Sequence, residues 1–233
     1  MTLRLYDLCG RDPSLRFSPY CWRTKMALAH KGVAAETIPT PFTKIAKVEN
    51  GASPTVPIIN DDGTVMRESF DIALYLDRAY PDRPGLFSDE AAVASGRLVE
   101  SWANTTINPI LMRMMAKDIH DALGDADQTY FRTSREKRLG RSLEEHQTGI
   151  EVNAPALAAA LEPARRVFAS FDWLGGSAPS FADYIVFGSL MWLRSIVGRV
   201  PLAAGDDPVA AWVERCLDLN GGAARSAPTA RAA

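Results

Sequence analysis

Cysteine is scarce and unpatterned in this chain. Cys9, Cys21 and Cys216 are the only 3 in 233 residues, and no Cys-x-x-Cys occurs. An odd, sparse count argues against a disulfide scaffold and for a reducing compartment, so a cytoplasmic location is expected. Histidine is as rare. His30, His120 and His146 stand apart from one another and from the cysteines, form no metal-ligand spacing, and each reads as a surface helix residue. Neither a Gly-x-Gly-x-x-Gly nor a phosphate-loop motif is present, which removes the usual signature of a nucleotide cofactor. The missing Gly-x-Ser-x-Gly elbow weighs against an α/β-hydrolase. The most apolar run, Ile185 to Leu193 closed by Arg194, falls far short of the ~20 residues of a membrane span. Met1-Thr2-Leu3-Arg4-Leu5 shows no secretory signal pattern. Charge of neither sign dominates: 26 Lys+Arg against 28 Asp+Glu leave a formal net charge of −2, so no basic field is available to hold nucleic acid or an anionic membrane. At 47% hydrophobic and 23% charged residues, the composition is globular rather than disordered.

The first eighty residues switch period repeatedly. Leu3 to Leu8 alternates as a strand. After a polar loop, Ser18-Pro19 opens a helix with a good N-cap and a proline where the N–H has no intrahelical partner. Gly32 closes it as a C′ residue, and a second strand is expected near Glu36–Pro39. A loop runs to Ser53. Thr55-Val56-Pro57-Ile58-Ile59 reads as a strand, Asp61-Asp62-Gly63 as a tight turn, and Thr64–Arg67 as the returning strand of a hairpin. Ser69 is expected to cap a helix carrying Ile72, Tyr75, Leu76 and Ala79 on one face, stopped by Pro81. The order β-α-β, β-β-α describes an α/β unit over 1–81, and 82–88 reads as a linker. From 89 to 219 only helices are expected: about Asp89 to Lys117 with a bend at Asn108-Pro109, about Thr133 to His146, about Pro155 to Ser170, a helix behind the capping box Ser180–Asp183, and a last one from Asp207-Pro208. The helix after Ser180 is apolar on nearly every side and belongs in the middle of a bundle. Residues 220–233 read as a mobile tail.

Three local features carry chemistry. Ser18 places a hydroxyl at the positive end of a helix, where free N–H groups and the macrodipole favour an anion and a thiol ionises more easily. A plain helix cap uses the same residue. Val56-Pro57 puts a proline inside a β pattern, which points to an edge position or a cis bond. A cis bond would leave the backbone of Val56 free for an extended peptide, whereas a simple chain reversal would not. Glu68-Ser69 sits between a strand end and a helix start. The helix N–H groups suit a carboxylate and Glu68 an ammonium, as in the head of an α-amino acid; a capping serine beside a solvated acid is the plainer use. In this order the three suit a small thiol peptide with a free amino-acid end.

Those residues resemble the cytosolic glutathione transferases. Ser18-Pro19-Tyr20, Val56-Pro57-Ile58, Glu68-Ser69-x-x-Ile72-x-x-Tyr75-Leu76 with Tyr80-Pro81, and Ser180-x-x-Asp183 carry the resemblance over nearly the whole chain apart from the tail. Ser18-Pro19-Tyr20-x-Trp22-Arg23-Thr24-Lys25, Pro81-Asp82-Arg83-Pro84 and Trp173-Leu174-Gly175-Gly176 further resemble the bacterial β-etherase branch, which includes enzymes that cleave aryl ethers. The resemblance implies a thioredoxin-like N-terminal domain, an all-α C-terminal domain, a homodimer, and glutathione as co-substrate with no metal. It also implies that Ser18 holds the glutathione sulfur as thiolate, that Val56 before a cis Pro57 pairs with the cysteinyl backbone, and that Glu68 and Ser69 hold the γ-glutamyl end. Lys44 is a candidate for the glycyl carboxylate. The small apolar electrophile is expected between the domains, against Tyr20, Met112 and Met115, since methionine adapts to irregular partners. Two other readings compete: a non-catalytic binding protein on the same fold, and a glutathione-dependent thiol oxidoreductase using Cys21 or Cys9.

Overall fold

The computed structural model describes residues 3–202 and 207–231. Strand β1 (Leu3–Leu8) buries Leu3, Leu5 and Leu8 and leaves Arg4 exposed, the alternation expected of a strand. Strand β2 (Ala35–Thr40) lies parallel to it with Thr37 opposite Leu5. Strand β3 (Ile58–Asp61) lies antiparallel on the other side with Ile59 opposite Leu5. Strand β4 (Thr64–Arg67) completes a sheet ordered β2-β1-β3-β4. The parallel pair needs a crossover, which helix α1 (Pro19–His30) supplies. The β3–β4 hairpin turns on Asp62 at φ 49° and Gly63 at φ 92°, the left-handed pair that a two-residue hairpin loop favours. Asn60 Oδ1 accepts the Gly63 amide at 2.8 Å. Helix α2 (Ser69–Ala79) stops ahead of Pro81.

Three details differ from the sequence pattern. Pairing of β3 begins at Ile58, so Pro57 stands just outside the ladder rather than within it; its missing N–H therefore costs the sheet nothing. The stretch expected as a loop holds a 3-10 helical segment, Phe42–Asn50, interrupted at Val48 and Glu49. Ser69 does not cap α2: Glu68 occupies the cap position at φ 62°, ψ 122°, and Ser69 is the first helical residue.

Beyond Arg67 the described residues form no further strand. Helices α3 (Glu90–Trp102) and α4 (Asn108–Asp121) are joined through a π-turn, Ala103–Ile107. The irregularity falls in the turn before Pro109, whose missing N–H and ring bulk disturb the preceding residues. The single helix expected over Thr133–His146 is two, α5 (Asp125–Leu139) and α6 (Leu143–His146). Gly140, left-handed at φ 68°, ends α5. Likewise α7 (Ile150–Ala160) and α8 (Glu162–Phe168) divide the next segment. Helix α9 (Phe181–Val197) is buried along almost its whole length, and α10 (Pro208–Gly222) buries Val209, Trp212, Val213 and Cys216 on one face. No helix of the described residues is long and apolar enough to cross a membrane.

The two parts meet chiefly where α1 lies against α9. A Cβ at Gly188 would stand 2.5 Å from the Pro19 carbonyl oxygen and 3.0 Å from Arg23 Cγ, so only glycine admits this approach. His30 bridges the same seam, contrary to its reading as a surface residue. Its Nε2 faces the Gly85 carbonyl at 3.0 Å and its Nδ1 the Tyr184 hydroxyl at 2.7 Å. A carbonyl only accepts, so Nε2 carries the proton and Nδ1 accepts from tyrosine. The described part of the segment expected as a mobile tail, 220–231, is docked; residues 232–233 lie outside the described residues. Ala224 is buried, Arg194 donates to the carbonyl oxygens of Ala224, Arg225 and Ala227, and the Ala230 amide reaches the Ser195 carbonyl at 2.7 Å.

Candidate active site

A cleft of about 770 Å³ opens between the sheet domain and the helices. Ser18, Tyr20, Val56, Glu68 and Met112 all line it. Ser18 is the N-cap of α1, nearly buried at 3% exposure, and its Oγ accepts the Cys21 amide at 3.3 Å. That leaves its O–H to donate. No acidic residue stands in the first turn of α1, so the helix brings no acid of its own to the positive end facing the cleft. The Val56–Pro57 peptide is cis, one of the two alternatives its sequence pattern allows. Val56 lies ahead of the paired residues of β3. Thr55 Oγ1 donates to Glu68 Oε1 at 3.3 Å, tying the loop before β3 to the start of α2.

Other expected residues stand elsewhere. Pro57 is buried, Ser69 is 3% exposed, and neither lines the cleft. Lys44 is exposed on the 3-10 segment and does not line the cleft. Met115 is fully buried, at an irregular residue of α4 (φ −145°, ψ 16°), and packs in the core rather than at the pocket. Of the methionines expected to face the electrophile, Met112 is on the wall and Met115 is not: three residues on, it would share the face of a regular helix, but the helical geometry breaks at Met115 itself.

The cysteines have surroundings that suppress thiolate. Burial pushes the Cys9 thiol up to about 11, and pushes Cys21 well above its ordinary value against weaker opposition from Ser18 and the Leu8 backbone. Cys216 is buried in α10 and is likewise raised by burial. A neutral, enclosed thiol is a poor nucleophile, which weighs against the glutathione-dependent thiol oxidoreductase reading through Cys21 or Cys9. The described residues contain no group of three or more His, Cys, Asp or Glu able to hold a metal ion.

Beneath Tyr20 lies a polar cluster that sequence reasoning missed. Arg23 is fully buried, and its guanidinium donates to Asn104 Oδ1 at 3.0 Å and pairs with Glu100 at 3.5 Å. The Tyr20 hydroxyl and Asn108 Nδ2 reach the same Asn104 oxygen at 3.4 and 3.2 Å. Asn104 sits in the π-turn, a break that often marks a functional position. The only sequence signal was the bend expected at Asn108-Pro109. The far wall of the cleft was missed too: Phe42, Tyr130 and Phe131 form an aromatic cluster with centroids 5.7–5.9 Å apart, next to Arg113, Arg135, Arg138 and His146. His146, taken from sequence for a surface residue, is buried.

Comparison with known proteins agrees with this geometry. Residues 13–84 match the model of the glutathione S-transferase N-terminal domain, and residues 94–219 that of the C-terminal domain. A glutathione S-transferase-like protein of Aspergillus flavus is 29% identical over 142 residues, 54% of this chain and 50% of that protein, so the chain spans about half the length of this relative. The crystal structure of a glutathione transferase from Phanerochaete chrysosporium superposes with a TM-score of 0.83 at 25% identity, covering 93% of this chain and 96% of that one. A β-etherase of Sphingobium shares the fold at 19% identity and a TM-score of 0.65, over 95% and 97% of the two chains.

Proposed function

The chain belongs to the glutathione S-transferase family, and on that premise we propose that it holds glutathione as a thiolate against Ser18 and directs it at a small aromatic electrophile. The observation that carries this reading is that Ser18, at a helix end with no acid in its first turn, opens into the same cleft as Val56 and Glu68. A peptide laid along Val56 would find a backbone not engaged in the sheet ladder, and Glu68 would take its α-ammonium. Ser18 would then donate its O–H to the sulfur. The positive end of α1 adds to that stabilisation. Together they raise the thiolate fraction at neutral pH, and thiolate is the reactive form.

The remaining acceleration comes from position. Met112, Phe42 and Phe131 supply an apolar wall on which an aromatic ring rests beside the sulfur, so attack becomes intramolecular in effect. For an aryl ether, the reaction suggested by the motifs shared with the β-etherase branch, the sulfur would form a bond to the carbon bearing the ether oxygen, the C–O bond would break, and phenolate would depart. A panel of aryl ethers, halogenated aromatics and mixed disulfides, each assayed with glutathione, separates ether cleavage from conjugation and from reduction.

Ser18→Ala tests the central claim. Loss of a hydrogen bond to a charged group should lower kcat/KM by roughly 10- to 150-fold, while glutathione affinity by calorimetry changes little. The pKa of the bound thiol, followed by the ultraviolet absorbance of the thiolate, should rise by about one to two units. Unchanged turnover and thiol pKa would remove Ser18 from the mechanism.

A further inference from the structure

We propose that the end of the cleft walled by α4, α5 and α6 is an anion subsite that takes the carboxylate of an aromatic acid, so that the electrophile carries a negative charge remote from the carbon attacked. Arg113 of α4, Arg138 of α5 and His146 of α6 all line the cleft. His146 is 8% exposed, and neither ring nitrogen has a hydrogen-bond partner. Buried polar atoms are rarely left unpaired, because each forfeits its hydration without replacement; a ligand entering the cleft would supply what is missing. The position is held firmly, since the Arg113 carbonyl accepts the amides of Thr148 and Gly149 at 2.9 and 3.2 Å just beyond α6.

The cations there lack an acidic partner. Among the described residues no carboxylate oxygen lies within 4.0 Å of the Arg113, Arg135 or Arg138 guanidinium, whereas Arg132, on the same helix as the latter two, holds Glu136 at 2.7 Å and Glu144 at 2.8 Å. The side-chain partner of Arg113 is the neutral Asn153, at 3.1 Å. Of the acids elsewhere in the cleft, Glu100 is already taken by Arg23 and Arg97. Burial, then the nearby Arg141, Arg113 and Arg138, hold the His146 imidazole below its ordinary value. It therefore meets a carboxylate at neutral pH as a neutral N–H donor. The aromatic half of the ligand has its own wall: the Arg135 guanidinium lies over Phe131 and Phe42 at 4.8 and 5.3 Å from their centroids. Cations beside clustered rings, with no acid of their own, suit an aromatic carboxylate.

This inference rests on the transferase reading for turnover but not for binding, and the test separates the two. The probes are a chlorodinitrobenzoate, with chlorine para to the carboxylate, and the matching neutral chlorodinitrobenzamide. In both, the thiolate sulfur forms the bond to the ring carbon, the C–Cl bond breaks, chloride leaves with the electron pair, and the thiol proton passes to solvent. The readout is the quotient of kcat/KM for benzoate over benzamide, in which general losses and intrinsic reactivity cancel between variants. Arg138→Gln combined with His146→Gln should lower this quotient about tenfold or more, and should weaken unreactive dinitrobenzoate by a similar factor in calorimetry. Arg138→Gln alone, at an exposed position, should move both in the same direction and guards against a double variant that does not fold. An unchanged quotient with unchanged dinitrobenzoate affinity would overturn the proposal. So would an unchanged quotient with weakened glutathione, which would give these cations to the tripeptide. If the wild type turns over neither probe, the transferase reading fails and the dinitrobenzoate titration decides the anion subsite by itself.

Discussion

Helices α1 and α9 both open on a serine whose oxygen accepts a backbone amide of its own first turn, Ser18 from Cys21 at 3.3 Å and Ser180 from Ala182 at 3.2 Å. They part company at the next carboxylate. In α9, Asp183 returns to the Ser180 amide at 2.9 Å, completing a capping box, and also accepts Leu174 N at 2.8 Å, Gly175 N at 3.1 Å and Trp212 Nε1 at 3.0 Å. Every one of those partners is an N–H donor, so the site is built to serve a carboxylate as acceptor, while burial outweighs these bonds and holds the group above its ordinary value. In α1 there is no acid in the first turn, and the helix end faces a cleft. One positive helix end is closed by the protein's own anion; the other, on the function proposed above, takes its anion from outside. On that proposal the same local grammar serves a structural joint in one place and a binding site in the other, and the difference lies in charge and access rather than in the serine.

Removing the closing anion is the harshest way to test that contrast. Asp183→Ala strands the Leu174, Gly175 and Ser180 amides, half-buried or exposed, and the fully buried Trp212 indole; an unmade buried bond costs about 1–3 kcal/mol, and the outer amides recover part of theirs from water. We expect a loss of about 3–5 kcal/mol in chemical denaturation. A loss below about 1 kcal/mol would mean that the joint is held by packing alone.

Adding an anion at the open end is the converse. Ser18→Asp keeps a good N-cap, so stability should stay within about 1 kcal/mol of the wild type. The new carboxylate would face the sulfur, however, and like charges about 4 Å apart repel by on the order of 4 kcal/mol near a protein surface. Turnover should fall at least about a hundredfold. Retained turnover would break the comparison, because the end of α1 would then not be where the thiolate lies.

Local patterns carried much of this in the sequence. Ser18-Pro19, the Ser180–Asp183 box and the Asp62-Gly63 turn each involve residues adjacent or three apart, and their geometry follows from that spacing. Trp173-Leu174-Gly175-Gly176, quoted above only for its resemblance, has a physical use: two of its amides serve Asp183, and a Cβ at Gly175 would sit 2.5 Å from that of Ser180. The far wall of the cleft was not legible. His146 and Arg113 are brought together by the packing of α6 on α4, and no local pattern distinguishes a buried unpaired histidine from an exposed one. The tail misled for a related reason. Its Gly, Ala, Ser and Pro composition forecasts mobility, but its anchor is Arg194, some thirty residues upstream, bonding its carbonyl oxygens.

The smallest expected effect isolates the serines themselves. Ser180→Ala removes the acceptor of the Ala182 amide and the hydroxyl that donates to Asp183 at 3.2 Å, and leaves Asp183 with its backbone and indole donors. Such a cap is worth about 1 kcal/mol, which for a chain of this length shifts the melting temperature by about 2–4 °C. Ser18→Ala should cost much the same stability, since it too loses one amide acceptor. Measured side by side, the two variants should therefore melt within a few degrees of each other while differing by at least about tenfold in turnover. Equal turnover would make the two serines equivalent caps. A far larger stability loss at Ser18 would show that the end of α1 is a structural joint after all, with the cleft in front of it incidental.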